Sequence, residues 1–90
     1  MATLDTVKTA LRIKHTELDT EITRLITAAQ ADMIRVGVAA EVVQTGGSLV
    51  TQAVVTYCLM NMTEETALID KYARAYEIQV DGIRRATNVQ

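Results

Sequence analysis

The residues of this chain that could take part in catalysis are few and lie far apart in the sequence. His15 is the only histidine, and it stands in a polar stretch beside Lys14 and Glu17. A catalytic imidazole needs a nucleophile or an orienting carboxylate as a partner, and the neighbouring sequence identifies neither. We therefore interpret His15 as a solvated turn residue.

Cys58 is the only cysteine and lies in the most apolar stretch of the chain. A reactive thiolate requires nearby cations or a helix N-terminus, whereas a buried free cysteine behaves as a small hydrophobe. We interpret Cys58 as a core residue. One cysteine and one histidine do not make a zinc-binding set, so we predict no metal site.

The remaining polar motifs also have ordinary structural explanations. The acidic residues of 17–21 and 64–65 stand at predicted helix starts, where the helix dipole favours negative charge. Residues 45–48, Thr-Gly-Gly-Ser, precede a predicted helix and could bind an anion, but they lack the lysine of a phosphate-binding P-loop. We predict that the protein is not an enzyme and has no catalytic residues and no cofactor.

The composition indicates an all-helical fold. The chain has 90 residues, of which 49% are hydrophobic and only 3% aromatic, and it contains no proline to interrupt a helix. We predict one domain over 1–90, a small bundle of about four helices with one longer loop between the second and third. A chain of this size buries only about 60% of its unfolded surface, so assembly into oligomers is a natural way to bury more.

The charge balance argues against a protein dedicated to nucleic-acid binding. The formal net charge is −2, and no basic stripe is evident in the sequence. A small helical regulatory or DNA-binding module stays open as the alternative, and salt-dependent binding to DNA would favour it.

The sequence shows no feature that directs the chain to a membrane or an oxidising compartment. The single cysteine cannot form an internal disulfide, and the N-terminus lacks a basic-then-apolar signal pattern. No apolar run approaches the roughly 20 residues that span a bilayer. We expect a protein made in the cytoplasm, without membrane association.

Two helices are predicted in the first half. The first starts near Thr3 and ends near Leu11, with Lys8 and Arg12 facing water. The second ends near Arg35, where Gly37 is suited to a left-handed helix stop. Its apolar stripe follows steps of three and four residues: Leu18, Ile22, Leu25, Ile26, Ala29 and Met33.

The second half predicts two more helices. One is capped by Ser48, ends near Asn61 and is apolar over nearly its whole circumference, which is typical of a central, buried helix. The other is capped by Thr63 and precedes a tail from Thr87. It carries the acid–base pairs Asp70–Arg74 and Asp81–Arg85 and the stripe Leu68, Tyr72, Ala75, Tyr76, Val80 and Ile83.

The segment 36–47 has no helical periodicity and is predicted to be the longer loop. Residues 41–45, in which Val42 and Val43 are apolar and Glu41 and Gln44 polar, fit a short strand or an extended loop.

The order of these elements resembles the small head–tail connector, or adaptor, proteins of tailed bacteriophages, the gp6-like family. The resemblance rests on a short helix that ends in Leu-Arg-Ile at 11–13, an acidic turn, and a helix with Ile/Leu pairs and Ala-Ala at 28–29. The apolar helix of 53–61 and the Tyr-Ala-Arg-Ala-Tyr run of 72–76, followed by Ile83-Arg84, extend it over most of the chain.

The resemblance implies a structural virion protein. Its copies would form a closed, twelve-fold ring on the portal protein, extend the DNA channel and join the capsid to a downstream neck or tail-completion protein. Genome DNA would pass through the channel without specific binding. The protein would reside at the capsid–tail junction of the virion, and in the host cytoplasm during assembly.

Two segments are the predicted contacts with other proteins, because the bundle does not obviously use their side chains. These are the 36–47 loop and the C-terminal segment from residue 83. The candidate contact residues are Val38, Glu41, Val42, Val43, Gln44, Ile83, Arg84, Arg85 and Val89.

Overall fold

The computed structural model describes residues 4–88, and every regular element within them is a helix. The all-helical prediction is therefore confirmed for this part of the chain, with one short helix more than the four predicted. The five helices are α1 (Leu4–Leu11), α2 (Asp19–Arg35), α3 (Ala40–Thr45), α4 (Ser48–Met62) and α5 (Thr66–Asn88).

The first two helices both end in a Schellman motif, which satisfies carbonyl groups of the last turn. At the end of α2, Gly37 has φ 112°, and the Val38 N–H donates to the Met33 carbonyl over 2.9 Å. Gly37 is therefore the helix stop that the sequence predicted. At the end of α1 the left-handed residue is Arg12, with φ 61°.

Lys8 does not face water as predicted. Its Nζ lies 2.7 Å from Oδ1 of Asp19, and only 13% of its side chain is exposed. This ion pair joins α1 to the first residue of α2, so the acidic start of α2 also holds α1 in place.

Helix α4 lies at the centre of the fold and packs against α1, α2 and α5. The predicted apolar stripes supply most of the core, although Leu68, Tyr72 and Ala75 of the stripe predicted for α5 are only half-buried and lie outside this core. Its buried members are Val7, Ile22, Leu25, Ile26, Ala29, Met33, Val38, Val43, Val50, Ala53, Val54, Cys58, Tyr76, Val80 and Ile83.

The segment 36–47 is not wholly a loop, and the strand or extended conformation predicted for 41–45 is wrong. Residues Ala40–Thr45 form α3, which Gly46 ends in a left-handed conformation. Within residues 4–88 there is no strand for this segment to pair with, so a helical turn satisfies its backbone groups. Val43 on α3 is buried in the core.

Several predicted helix boundaries shift by a few residues. Helix α4 begins at Ser48 itself, after Gly47, without a side-chain cap, and it ends at Met62. Helix α5 starts at Thr66, because the Thr63 hydroxyl instead accepts the Glu65 N–H in a preceding turn. The tail predicted from residue 87 is also wrong, since α5 continues to Asn88.

The molecule is thin. Its principal extents are 43 × 27 × 18 Å, and the shortest one equals about two helix diameters. In this two-layer bundle α5 packs mainly against α4 and is covered on one side only, which leaves Ile69 and Ile78 at the surface. Among the described helices, none is long and apolar enough to cross a bilayer.

Candidate protein–protein interface

His15 and Cys58, the two residues best suited to catalysis, both occupy ordinary structural positions. His15 is exposed in the turn between α1 and α2, as interpreted from the sequence. Cys58 is completely buried, and this burial raises the pKa of its thiol to about 11. Such a thiol stays protonated at neutral pH and acts as a core side chain. Within residues 4–88, no group of three or more potential ligands is placed to hold a metal.

Two surface depressions flank helix α5 and differ in chemistry. We call the first the Asp32 cleft. It has a volume of about 430 Å³ and lies between the end of α2, the end of α4 and the middle of α5. Its lining residues are Asp32, Arg35, Val36, Tyr57, Met60, Ala73, Tyr76, Glu77, Val80, Asp81 and Arg84.

Hydrogen bonds join Asp32, Arg35 and Tyr76 in the Asp32 cleft. The Tyr76 hydroxyl donates to Oδ2 of Asp32 over 2.8 Å, and Arg35 Nη2 donates to Oδ1 of the same carboxylate over 2.7 Å. The rings of Tyr57 and Tyr76 contact each other with centroids 5.3 Å apart. This network ties α5 to α2 across the cleft.

The electrostatics of the network favour a charged Asp32. Burial alone would raise the pKa of this carboxyl, but the hydrogen bonds from Arg35 and Tyr76 and the Arg35 charge together lower it below its ordinary value. The pKa of Tyr76 is raised, first by burial and then by its hydrogen bond to the carboxylate. The cleft therefore holds an anion and a neutral phenol in a stable pair.

Arg84, a predicted contact residue, closes one end of the Asp32 cleft. Its Nη1 donates to the Val36 carbonyl over 3.2 Å, and its Nη2 pairs with Asp81 over 2.7 Å. The guanidinium thus bridges α5 to the turn that follows α2. Arg85 also pairs with Asp81, over 2.9 Å, which confirms the predicted i,i+4 pair.

We call the second depression the Leu49 groove. It has a volume of about 510 Å³ and lies between α3, the first turn of α4 and the end of α5. Leu49 is 60% exposed at its edge, although its helix was predicted to be buried. The described lining residues are Glu41, Val42, Thr45, Gly47, Ser48, Leu49, Val50, Ile83 and Ala86, of which only Glu41 is charged.

The structure brings the two predicted contact segments together, since Glu41 and Val42 line the same groove as Ile83. However, Val38, Val43 and Ile83 are buried in the chain's own core, so the bundle does use these three side chains. Glu41, Gln44 and Arg85 are exposed and Val42 is half-buried. Val89 lies outside the described residues. Contact of any of these residues with another protein stays a prediction.

Sequence reasoning missed two exposed apolar residues, Leu49 and Ile78. The exposure of Leu49 could not be recognised in the sequence, because all faces of its helix are apolar and periodicity does not show which part of such a helix is uncovered. Ile78 is 73% exposed on α5. A signal for it was present, because it falls outside the apolar stripe of that helix and stands on an otherwise polar face.

Comparison with known proteins gives one match. A family model described as phage connector protein matches residues 3–77, a range that includes helices α1 to α4 and the first half of α5. Ile83, Arg84, Arg85 and Val89 lie beyond the matched range. No curated protein and no solved structure matches the chain.

Proposed function

The chain belongs to the phage connector protein family, and from this premise we propose that it is a head–tail connector that forms a ring on the portal. The family is one of structural proteins and not of enzymes. The match over residues 3–77 is the observation that carries the proposal. Membership of the gp6-like group, inferred from the sequence, is part of this proposal.

In the proposed ring, copies of the chain, twelve in number, pack side by side around the DNA exit channel. A closed ring uses two different surfaces on every copy, one for each neighbour. The thin, two-layer bundle supports this arrangement, because its monomer leaves Ile34, Leu49, Ile69 and Ile78 exposed. Lateral packing would remove such apolar surface from water.

The proposed partners are the portal on one side of the ring and a downstream neck or tail-completion protein on the other. The ring would extend the portal channel, and genome DNA would pass without specific binding, in keeping with the net charge of −2. The protein would be a virion component at the capsid–tail junction, present in the host cytoplasm during assembly.

The exposed members of the predicted contact set are the ones we propose for protein contacts. These are Glu41 and Gln44 on α3, the half-buried Val42, and Arg84 and Arg85 near the end of α5. Val38, Val43 and Ile83 would support such contacts from beneath, because they fix the position of α3 and α5 in the core.

The test is to mix the chain with the portal protein encoded in the same genome. The mixture is separated by size-exclusion chromatography with light scattering, and the complex is viewed by electron microscopy. A ring added to one end of the portal, with a countable number of copies, is the expected result. A monomer that elutes separately from the portal at every concentration would overturn the proposal.

A pair of matched variants tests the contact residues. The first replaces Glu41, Gln44 and Arg85 with alanine, and the control replaces Glu17, Thr20 and Glu64, which are equally exposed. We expect the first variant to dock weakly and the control to dock as the wild type does. Equal docking by both variants would contradict the assignment of the contact surface.

A further inference from the structure

The outer face of α5 carries a stripe that the monomer does not use. Arg85 shares this face of α5 but is paired with Asp81, so it is left out of the stripe. At 3.6 residues per turn, Lys71, Arg74 and Gly82 occupy positions within about 40° of Ile78 around the helix. All four residues are exposed, and Ile78 is the most exposed large apolar residue of the described chain. We call these four residues the α5 stripe.

The cations of the α5 stripe differ from those at the end of the same helix. Arg84 and Arg85 are both paired with Asp81. In contrast, no ion pair among residues 4–88 includes Lys71 or Arg74, and the predicted Asp70–Arg74 pair is not formed. Two positive charges therefore flank an exposed isoleucine without a carboxylate partner in this part of the chain.

Neither the backbone conformation nor a close contact within the described residues requires that Gly82 be a glycine. It lies inside α5 without a positive φ, and a Cβ added there would meet no atom within 4 Å. A helix with an interior glycine is less stable than one with alanine at that position, but the missing Cβ allows another backbone to approach closely. Gly82 thus marks the place on the stripe where a second helix could come nearest.

The Leu49 groove offers the complementary chemistry. Its surface is apolar around Val42, Leu49 and Ala86, and Glu41 is the one charged residue of its described lining. No ion pair within residues 4–88 includes Glu41. The groove therefore presents an apolar depression with an unpaired anion, opposite in charge to the stripe.

We propose that the α5 stripe of one copy docks into the Leu49 groove of the next copy. Ile78 would pack against Val42 and Leu49, while Lys71 or Arg74 would pair with Glu41. The inference rests on the proposed function, because it assigns the two surfaces that the ring would use.

The two surfaces cannot meet within one chain. Ala86 and Ile83, which line the groove, point in directions about 80° and 140° away from Ile78 around the same helix. Ile78 therefore points away from the groove of its own chain. Because the stripe and the groove are different surfaces, their contact is heterologous, which is the kind of contact that closes into rings.

Other occupants fit less well. A DNA backbone would be matched by a row of cations, but the centre of the α5 stripe is an exposed isoleucine and a glycine. A second α5 stripe would bring two more cations and no carboxylate to pair with Lys71 or Arg74, so it lacks the charge complementarity of the groove.

Disulfide cross-linking tests the contact directly. Leu49→Cys and Ile78→Cys are made in separate chains, mixed, assembled on the portal and oxidised with copper phenanthroline. Cys58 is fully buried, so the wild-type chain is the control for background reaction. We expect L49C and I78C to form a mixed dimer, and the variant with both cysteines to form a ladder of linked copies.

Ile69→Cys is the matched negative control. Ile69 is also an exposed isoleucine of α5, but it points about 180° away from Ile78. We expect no cross-link between I69C and L49C. Cross-links of I78C only with itself would overturn the inference, since they require a two-fold contact between identical surfaces.

A charge exchange is the second test. Glu41→Lys and Arg74→Glu should each weaken ring assembly about tenfold, equivalent to about 1.4 kcal/mol, and the variant with both changes should recover it. Glu64→Lys, an exposed change outside both surfaces, should assemble normally. Failure of the double variant to recover, with both single variants folded, would count against the Glu41 pairing.

The outcomes separate this inference from the proposed function. A ring on the portal without the L49C–I78C cross-link would overturn the inference and leave the function intact. A cross-linked ladder from the free chain, without portal binding, would support the interface and overturn docking on the portal. Loss of DNA binding in Arg74→Glu, with no cross-link, would assign the stripe to DNA instead.

Discussion

The Asp32 cleft and the Leu49 groove lie on the same helix, α5, yet their charged groups are used differently. In the Asp32 cleft, the two partly buried carboxylates have partners: Asp32 binds Arg35 and Tyr76, and Asp81 binds Arg84 and Arg85, while Glu77 at the same cleft is exposed. In the Leu49 groove, Glu41 has no ion-pair partner within the described residues, and Leu49 is largely exposed.

The difference indicates that the Asp32 cleft serves folding, and it supports our proposal that the Leu49 groove serves assembly. A depression whose polar groups are satisfied internally adds to the stability of the monomer and offers a partner little to bind. A depression with exposed apolar side chains and an unpaired charge gains free energy only when something covers it. Substitutions in the Asp32 cleft should therefore lower the stability of the fold, while substitutions in the Leu49 groove should affect assembly.

The largest expected effect is the loss of the Tyr76 ring. Tyr76→Ala removes a side chain that is only 7% exposed and should lower the free energy of unfolding by about 3–5 kcal/mol. Leu49→Ala is the comparison in the other region, and because Leu49 is exposed its effect should stay within about 0.5 kcal/mol. Urea unfolding followed by circular dichroism measures both. Similar losses of unfolding free energy in Tyr76→Ala and Leu49→Ala would contradict the assignment of the Asp32 cleft to folding and of the Leu49 groove to assembly.

The next effect concerns Gly37, at the end of α2. Its φ is 112°, and an added Cβ would lie 3.2 Å from Cδ of Arg84. Gly37→Ala should therefore destabilise the chain by about 1–3 kcal/mol, since it places an L residue in a strained conformation. Urea unfolding gives the value, and an unchanged midpoint would show that the turn can relax.

The acid sensitivity of the Asp32 cleft is a smaller effect. The pKa of Asp32 is lower in the folded chain than its ordinary value of 3.8, so its charge stabilises the fold above that value. This contribution is lost as the pH falls through the lowered pKa. Asp32→Asn should thus lose less stability than the wild type between about pH 6 and pH 3. An equal loss of unfolding free energy in the wild type and in Asp32→Asn between these two pH values, measured by urea unfolding, would contradict this prediction.

The smallest effect, and of opposite sign, is expected at Gly82. Because a Cβ there would meet open space, Gly82→Ala should stabilise the helix by about 0.5–1 kcal/mol. The same change should weaken ring assembly, because the added methyl group keeps a neighbouring helix at a distance. Thermal unfolding and light scattering of the assembled ring measure the two effects. Normal assembly of this variant would argue against a close helix contact at Gly82.

Much of the fold could be predicted from the sequence. The spacing of Ile22, Leu25, Ile26, Ala29 and Met33 predicted a helix whose apolar face is buried, and all five are buried. Gly37 as the stop of α2 and Cys58 as a core residue were also predicted, because local backbone preference and hydrophobicity suffice for them. The helix α3 was not predicted, since its short valine-rich segment has no periodicity to read.

The candidate interface was predicted only in part. The sequence directed attention to 36–47 and to residues from 83 onward, and Glu41, Val42 and Ile83 do line one groove. Burial of Val38 and Val43 and exposure of Leu49 could not be foreseen. They depend on where neighbouring helices begin and end, and the apolar pattern of a single helix does not contain that information.

The sequence by itself determined the helical class, the main apolar faces and the absence of an evident catalytic motif. Apolar residues at helical spacing must be covered, whatever helix covers them. Only the tertiary structure decided which charges are paired and which have no ion-pair partner within the described residues. The hydrogen bond from Tyr76 to Asp32 joins residues 44 positions apart, and such contacts form only when the helices have packed.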